Sequence, residues 1–411
     1  MNGNAKLSGK TIVILGGAGL MGQGIVRDLL SDRTIVEIAE LKLCDTATDR
    51  MEALIQLMDD DRLTSQIVDV RDATSIQSVL AGADLCINAV PTLAGFQMDI
   101  FRAALDARVD YLDLGGLGTF TVKQLEWKDR FAEAGVVAVL GAGADPGMSN
   151  VICRAVADRL DEIDSINLYW AAELVGPENP VLCPPYSIST VLAEYAASSI
   201  QFFDGVHVEC PPMGGLETLD LPEPWGRCDF MYSPHSEQLT VPLAPGIAEK
   251  GIREFTWKLH LPHREHEAWI GLVKAGFGDF NRPVMVRGVE VSPLEVLTAV
   301  MNRNMADNAE RMPDQASHEL HFAIGRGRIG GQPAEVRCEV EVHPDPMYDG
   351  YVDAGTSMNA SIAAQLMLLQ PRVPGVFAPE TYFDPERYFD ECRKRKFAIS
   401  VSVDMKQGAT A

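Results

Sequence analysis

The segment Thr11-Ile-Val-Ile-Leu-Gly-Gly-Ala-Gly-Leu-Met-Gly22 decides the fold of this chain. Its apolar start predicts a buried strand, and glycines 17, 19 and 22 lead from that strand into the helical pattern Ile25-Val-Arg-Asp-Leu-Leu30. In this order the first glycine permits a tight turn, the second lets the backbone approach a pyrophosphate, and the third lets the helix pack on its strand. The pattern predicts a dinucleotide at the start of the helix, and the lack of a following Lys-Ser/Thr pair excludes a nucleotide-triphosphate loop.

The next predicted strand, Glu40-Leu-Lys-Leu-Cys-Asp45, ends in a carboxylate about twenty residues after the last glycine, where such a group binds an adenosine ribose. A carboxylate there repels a 2′-phosphate, so the sequence favours NAD, and Arg50 nearby leaves NADP open. Strands and helices then alternate, with strands expected at Ser65–Val70, Asp84–Val90, Val109–Gly116 and Val136–Leu140 and helices at Phe96–Arg108 and Val122–Ala134. The alternation predicts an α/β fold whose first domain, 1–145, is a Rossmann doubly wound parallel sheet.

The segment Gly141-Ala-Gly-Ala-Asp-Pro-Gly-Met-Ser-Asn150 leads into a second domain, expected at 146–355. Asp145 is suited to cap a helix that has Pro146 at its first position. Period-two runs and an expected hairpin of Glu319–Ile324 and Glu335–Val342, with Gly325–Gly331 as its turn, predict an α+β domain with a mixed, mostly antiparallel sheet. The apolar helix expected at Thr356–Gln370 packs back on the first domain, so that 356–411 completes it.

Composition limits the class of protein. The chain has 411 residues, 46% of them hydrophobic, and a formal net charge of −23, which disfavours nucleic acid and anionic lipid as partners. Its eight cysteines contain no C-x-x-C pair and are expected to be reduced thiols. With no apolar leader and no apolar run of membrane-spanning length, the chain is expected to be cytoplasmic and without a membrane partner.

Several segments together resemble the saccharopine dehydrogenase family, in particular its lysine 6-dehydrogenase-like branch. These segments are Gly16–Gly22, Asp110-Tyr-Leu-Asp-Leu-Gly-Gly116, Gly143–Asn150, Leu221-Pro-Glu-Pro-Trp-Gly226, His235-Ser-Glu237, Gly375–Glu380 and Phe383–Glu386. The resemblance implies a Rossmann domain, a central substrate and oligomerisation domain, and NAD(P)-dependent hydride transfer at a carbon–nitrogen bond. It also implies a homodimer or homotetramer that acts on a small amino acid or amine.

The motifs and the expected fold assign the cofactor contacts. The pyrophosphate is expected on Gly17, Gly19, Leu20 and Met21, the ribose on Asp45, the adenine beside Asp69 and Val70, and the nicotinamide path along Ala89, Val90, Gly115 and Gly116. NAD is the expected cofactor, with NADP as the second choice.

Amine oxidation needs a group that takes a proton and groups that position the substrate. The candidates are Asp145, Asn150, Glu173, Tyr186 and His235. Asp145 holds the substrate ammonium or the ribose, or is a plain helix cap, and Asn150 follows one turn later. Glu173 suits a cationic amine or a surface position, Tyr186 lines a pocket or packs, and His235 is a base or a substrate contact.

No metal site is expected. His260, His263 and His266 recur at a spacing of three, but Pro262 interrupts any helix that would stack them. His318 and His321 are expected on one strand, where an offset of three points them to opposite faces.

The sequence therefore favours oxidative deamination similar to that of lysine 6-dehydrogenase. A saccharopine or opine-type dehydrogenase or reductase is the alternative, and a second substrate carboxylate would then need an arginine such as Arg253 or Arg264. A non-catalytic NAD(P)-sensing protein is the alternative from another class, against which the polar candidates Asp145, Glu173 and His235 argue.

Overall fold

The computed structural model describes residues 9–116, 118–279, 282–348 and 354–405. These residues form two compact units, one of 9–151 with 354–395 and the other of 152–348 with 396–405. Among the described residues, none of the helices has the length and apolar character needed to cross a membrane.

The strands in the described ranges are β1 Lys10–Leu15, β2 Ile38–Asp45, β3 Leu63–Ile67, β4 Leu85–Asn88, β5 Asp110–Asp113, β6 Val137–Val139, β7 Glu162–Val175, β8 Ser199–Phe203, β9 Val206–Cys210, β10 Glu217–Asp220, β11 Arg227–Tyr232, β12 Glu254–His260, β13 Val284–Val286, β14 Val289–Val291, β15 Ala316–Ile329, β16 Gln332–Val342, β17 Gly375–Phe377 and β18 Ala398–Met405. The α-helices are α1 Leu20–Leu29, α2 Thr48–Met58, α3 Ala73–Leu80, α4 Gln97–Ala107, α5 Thr119–Leu125, α6 Lys128–Ala134, α7 Met148–Arg159, α8 Ile188–Ala196, α9 Glu237–Thr240, α10 His263–Lys274, α11 Pro293–Asp307, α12 Ala354–Leu369, α13 Pro379–Tyr382 and α14 Pro385–Lys394.

The described part of the first unit contains a seven-stranded sheet in the order β17-β6-β5-β4-β1-β2-β3, and each pair of neighbours is parallel. This arrangement confirms the predicted doubly wound parallel sheet. The helix expected at Val122–Ala134 is instead two helices, α5 and α6. Trp127 separates them because it leaves helical geometry and packs its ring 5.7 Å from that of Phe101.

Helix α12 packs on α1, as expected, and the Ser357 hydroxyl donates to the Met21 carbonyl over 3.1 Å. At the end of α14, the guanidinium of Arg395 binds the buried Asp28 carboxylate of α1 through contacts of 2.6 and 3.0 Å. A buried ion pair with several hydrogen bonds fixes orientation more than it adds stability. These contacts attach the C-terminal helices to the Rossmann sheet.

The described part of the second unit contains a nine-stranded sheet whose main path is β10-β11-β12-β7-β15-β16-β18, with β8 and β9 branching from β12. The β12–β7 pair is parallel and the other pairs are antiparallel, which confirms the predicted mixed sheet. The hairpin of β15 and β16 forms, but its strands continue to a short turn at Gly330 and Gly331.

Gly325 therefore lies inside β15 rather than in the expected turn. A Cβ at Gly325 would lie 2.3 Å from the Val156 side chain of α7, so the glycine permits close packing of helix on strand. The C-terminal boundary also differs from the expectation that all of 356–411 completes the first domain. Strand β18 pairs with the otherwise open edge of β16, and residues 396–405 belong to the second unit.

Candidate functional site

The glycine turn between β1 and α1 presents backbone atoms, rather than side chains, to a ligand. Gly19 is the N-cap of α1, and the methyl of Ala18 is buried, so a stretch of bare backbone precedes Leu20. A Cβ at Gly22 would lie 2.6 Å from Gly17 Cα, which makes this glycine necessary for α1 to pack on the turn. The first N–H groups of a helix lack intrahelical acceptors and favour an anionic group. The geometry fits a pyrophosphate.

Asp45 reaches from the end of β2 to this turn. Its Oδ2 accepts a hydrogen bond from the Ala18 N–H at 3.1 Å, and its Oδ1 accepts from Thr46 and Ala47. The half-buried carboxylate lies beside the turn, where a ribose hydroxyl can donate to it. Asp69, by contrast, binds the guanidinium of Arg71 in an exposed ion pair, which lowers the pKa of Asp69 to about 2.

A buried polar network lies at the carboxyl ends of β4 and β5. Asp113 accepts through Oδ1 from the N–H groups of Gly115 and Gly141, and through Oδ2 from the Tyr111 hydroxyl and the Gln124 amide, over 2.8–3.0 Å. Burial raises the pKa of Asp113. Because one carboxylate holds both glycine segments, Asp113 positions the backbone predicted to line the nicotinamide path.

The next residue of this network is Asn88 at the end of β4. Its amide donates to Tyr111 and Gln97, and its oxygen accepts from the Val90 N–H at 3.1 Å. Of the predicted nicotinamide contacts, Val90 and Gly115 are therefore fixed by buried side chains. Gly115 has φ of +64°, and a Cβ there would lie 2.7 Å from both Gly141 Cα and Pro146 Cγ.

We expect Asp113→Asn to lower the free energy of unfolding by about 2 kcal/mol, because an amide nitrogen would face two buried donors. Chemical denaturation monitored by circular dichroism measures the change. Asp106→Asn, at an exposed position on α4, is the control and should stay within about 0.5 kcal/mol of the parent. Equal stability of Asp113→Asn and the parent would show that the network does not hold these segments.

Asp145 does not cap the following helix, so that prediction is wrong. A tight turn closes first, with the Gly143 N–H donating to the Pro146 carbonyl at 2.7 Å and the Met148 N–H donating to the Gly143 carbonyl at 3.0 Å, and α7 begins only at Met148. Asp145 is half-buried in this turn.

Asn150 is buried, and both ends of its amide are bound within the first unit. Its oxygen accepts from the Gly147 N–H at 2.9 Å and its nitrogen donates to Glu380 at 2.9 Å. The side chain thus supports the turn that carries Asp145. A substrate contact by either residue stays a prediction.

His235 lies in the second unit in a buried cluster with two carboxylates. Its ring stacks on Trp257 at a centroid distance of 3.9 Å. Its Nε2 is 3.6 Å from Glu194 and its Nδ1 is 3.5 Å from Glu237. Burial alone lowers the pKa of His235, but the two carboxylates outweigh it and raise the pKa to about 10. His235 is therefore an imidazolium at neutral pH, and the Tyr186 hydroxyl donates a hydrogen bond to Glu194.

The sheet face under this cluster is aromatic. Trp257 on β12 and Trp170 on β7 point to the same side, because the parallel register pairs Trp257 with Leu168, two residues before Trp170. The Trp170 ring lies 6.3 Å from that of Tyr186 and stacks at 6.1 Å on His321. Predicted site residues Tyr186 and His235 thus come together around Glu194.

The structure does not bring Glu173 to His235. Glu173 lies on the other face of β7, with Tyr169, and its Oε2 is 3.3 Å from His263 Nδ1. The roles of Glu173, Tyr186 and His235 in catalysis stay predictions.

No helix runs through Pro262, as expected, yet the three neighbouring histidines still come together. His260 ends β12, Pro262 is the N-cap of α10, and His263 and His266 lie in its first turn. The His260 ring is 4.7 Å from that of His263 and 4.4 Å from that of His266. Burial lowers the pKa of His260 to about 4 and that of His266 to about 3. The proline turns the chain and so brings the rings together.

Sequence reasoning missed Glu194 and Asp113 as site residues. The signal for Glu194 was a single carboxylate in the apolar run Val191-Leu-Ala-Glu-Tyr195, where burial of the helix buries the charge. Asp113 lies in the segment Asp110–Gly116 that carries the family resemblance, but its role was not predictable because two of its four donors, Gln124 and Gly141, lie elsewhere in the chain.

A Rossmann unit with an open glycine turn, joined to a unit with a mixed sheet, is the architecture of an NAD(P)-dependent oxidoreductase. Residues 12–139 match the model of the saccharopine dehydrogenase NADP-binding domain, and residues 143–397 match that of the saccharopine dehydrogenase C-terminal domain. The chain belongs to the saccharopine dehydrogenase family, as the resemblance implied, and its cofactor is NAD(P).

Individual proteins agree with this membership. The carboxynorspermidine synthase of Vibrio alginolyticus is 32% identical over 299 residues, which cover 67% of each chain. The carboxyaminopropylagmatine dehydrogenase of a Synechocystis species is 25% identical over 228 residues, or 54% of each chain. The apo saccharopine dehydrogenase (L-Glu forming) of Saccharomyces cerevisiae has the same fold, with a TM-score of 0.71 at 14% identity over 96% of this chain and 100% of that one.

Proposed function

We propose that this oxidoreductase reduces the C=N bond formed between a primary diamine and an aldehyde that carries a carboxylate, and oxidises the resulting secondary amine in reverse. The observation that carries the proposal is the 32% identity to a carboxynorspermidine synthase. A second relative, the carboxyaminopropylagmatine dehydrogenase, is also named for a carboxylated amine. These names favour the secondary-amine alternative over deamination of lysine.

The charge of the His235 cluster supports a cationic substrate. The cluster places two carboxyl side chains, Glu194 and Glu237, against a single imidazole, and all three groups are buried. A diamine brings a second ammonium that does not react. A carboxylate beside the ring of Tyr186 suits such a cation, because aromatic faces also attract it.

The reaction needs one proton and one hydride for each C=N bond. When bound, NAD(P)H supplies the hydride to the imine carbon. The imine nitrogen takes up the proton, and we assign its donation to His235. The carboxylates that raise the pKa of His235 keep a proton on its ring at neutral pH, which is the form that can donate. The glycine turn and Asp45 hold the dinucleotide, and the network of Asp113 fixes the backbone along its nicotinamide path.

A spectrophotometric panel tests the proposal. The purified chain is mixed with NADH or NADPH, a diamine such as 1,3-diaminopropane, putrescine or agmatine, and an amino-acid semialdehyde. We expect coenzyme oxidation only when both the diamine and the semialdehyde are present. Reduction of NAD by lysine alone would favour oxidative deamination, and tight coenzyme binding without any turnover would favour a sensing protein.

Asp45 is expected to set the preference between NADH and NADPH. Asp45→Asn leaves one acceptor oxygen for the Ala18, Thr46 and Ala47 N–H groups and removes the charge that repels a 2′-phosphate, so we expect the ratio of kcat/KM for NADPH to that for NADH to rise about tenfold. Steady-state kinetics with the two coenzymes measure this ratio. Asp72→Asn, at the N-cap of α3, is the matched control. An unchanged ratio in Asp45→Asn would remove Asp45 from coenzyme selection.

A further inference from the structure

Three strands of the second sheet and one helix bring four potential metal ligands to one place. Cys228 is on β11, His260 ends β12, Glu173 lies near the end of β7, and His263 begins α10. Strand β12 lies between β11 and β7, and its register pairs His260 with Ala171, two residues before Glu173 on the same face.

The spacing of the donor atoms suits a single ion. Cys228 Sγ, His260 Nε2 and His263 Nδ1 all lie within 4.8 Å of one another, with 2.8 Å between the two nitrogens. Glu173 Oε2 is 3.3 Å from His263 Nδ1. Tetrahedral zinc, with bonds of about 2.0–2.3 Å, holds its ligand atoms about 3.3–3.7 Å apart. To enclose an ion, the two imidazole nitrogens would move apart by about 0.5 Å, and the Glu173 carboxylate, which lies outside the 4.8 Å group, would turn toward the other ligands.

Outer contacts orient two of these ligands. His260 Nδ1 is 3.0 Å from the Asp229 carbonyl, so Nδ1–H donates there and Nε2 presents its lone pair to the cluster. A metal-binding histidine is usually held by such a bond through its second nitrogen. The Leu174 N–H donates to Glu173 Oε1 at 3.0 Å, which leaves Oε2 toward His263.

The four ligands differ in burial, so that solvent reaches the cluster from one side only. Cys228 and His260 are buried, Glu173 is half-buried, and the His263 side chain is 49% exposed. An ion can thus enter past His263. A thiolate, two imidazoles and a carboxylate form a donor set that zinc prefers over magnesium or calcium.

We propose that Cys228, His260, His263 and Glu173 form a zinc site in the second unit. Four protein ligands complete a tetrahedral shell, which is the pattern of a structural site. The ion would join β11, β12, β7 and α10. His260 and Trp257 point to opposite faces of β12, and His235 stacks on Trp257, so the site is separate from the His235 cluster and independent of the proposed reaction.

The full chain tests this, first stripped of metal by a chelator and then titrated with Co²⁺ and Zn²⁺. We expect one ion per chain, a near-ultraviolet thiolate-to-cobalt charge-transfer band, tetrahedral visible bands that Zn²⁺ abolishes, and a higher Tm with Zn²⁺. Cys228→Ser should abolish the charge-transfer band, and His263→Ala should weaken Zn²⁺ binding at least about tenfold. His263 is exposed, so its variant keeps the buried core intact.

His343→Ala is the matched control, because His343 belongs to a second group with His318 and Glu341 that contains no thiol. We expect it to bind Zn²⁺ and Co²⁺ like the parent. A parent chain without a thiolate band, or a Co²⁺ spectrum unchanged in Cys228→Ser, would overturn the proposal. So would loss of binding in His343→Ala with binding retained in His263→Ala.

Discussion

Gly22→Ala is expected to weaken NAD(P) binding by at least about 100-fold. The new Cβ would lie 2.6 Å from both Gly17 Cα and Gly16 O. These atoms are backbone and cannot turn aside, so α1 must move away from the turn. A displacement of about 1 Å in a positioning element is enough for a loss of this size. The N–H groups at the start of α1 would then no longer meet the pyrophosphate.

Fluorescence titration with NADPH measures the loss, and circular dichroism checks that the variant is folded. Gly19→Ala separates binding from folding, because its Cβ would meet only Gly16 O at 3.2 Å while it blocks the approach of a phosphate. We expect about a tenfold loss for that variant. Gly271→Ala, in α10 with open space around it, is the control. NADPH affinity like that of the parent in both Gly22→Ala and Gly19→Ala would contradict the assignment of the glycine turn.

Glu194→Gln is expected to lower kcat/KM for the diamine about 100-fold while NADPH affinity changes less than twofold. The substitution keeps the shape of a buried side chain that accepts from Tyr186. It removes one of the two carboxyl groups of the cluster, and one charge-assisted contact contributes about 1.5–3 kcal/mol. Loss of the same carboxylate also lowers the pKa of His235, which weakens its hold on the proton.

Initial rates at saturating NADPH and varied diamine give the effect. Glu209→Gln is the control, because Glu209 is exposed and accepts a hydrogen bond from the hydroxyl of Ser198, which is exposed as well. We expect wild-type kinetics from it. Parent-like kcat/KM in Glu194→Gln, or an equal loss in Glu209→Gln, would remove the cluster from substrate binding.

The Rossmann sheet was predictable because its signals are local. Strand β1, the glycines and α1 follow one another within twenty residues, and each carries its own hydrophobic period. The start of α7 was not predictable in the same way. In the sequence, Asp145 and Pro146 suggest a helix cap. In the structure, a hydrogen bond between Gly143 and Pro146 closes a turn instead, and Pro146 packs against Gly115, which follows β5.

The partners of the polar residues in the second unit could not be predicted from local sequence either. The period of two places Trp170 and Glu173 on opposite faces of β7, but the chain order does not give their partners, because these depend on the register with β12 and β15. Tyr186 and His235 were predicted as separate candidates. Glu194, which joins them, lies on a helix between them and was not among the predicted site residues.

Transfer of deuterium is the most direct test of the central idea, that NAD(P)H bound at the glycine turn reduces an imine. The chain would be supplied with NADPH or NADH that carries deuterium at both C4 positions of the nicotinamide, a diamine and an amino-acid semialdehyde, and the product analysed by mass spectrometry. We predict a secondary amine that carries one deuterium on the carbon of the former C=N bond. Consumption of coenzyme without deuterium at that carbon, or no secondary amine under any pairing, would contradict the account.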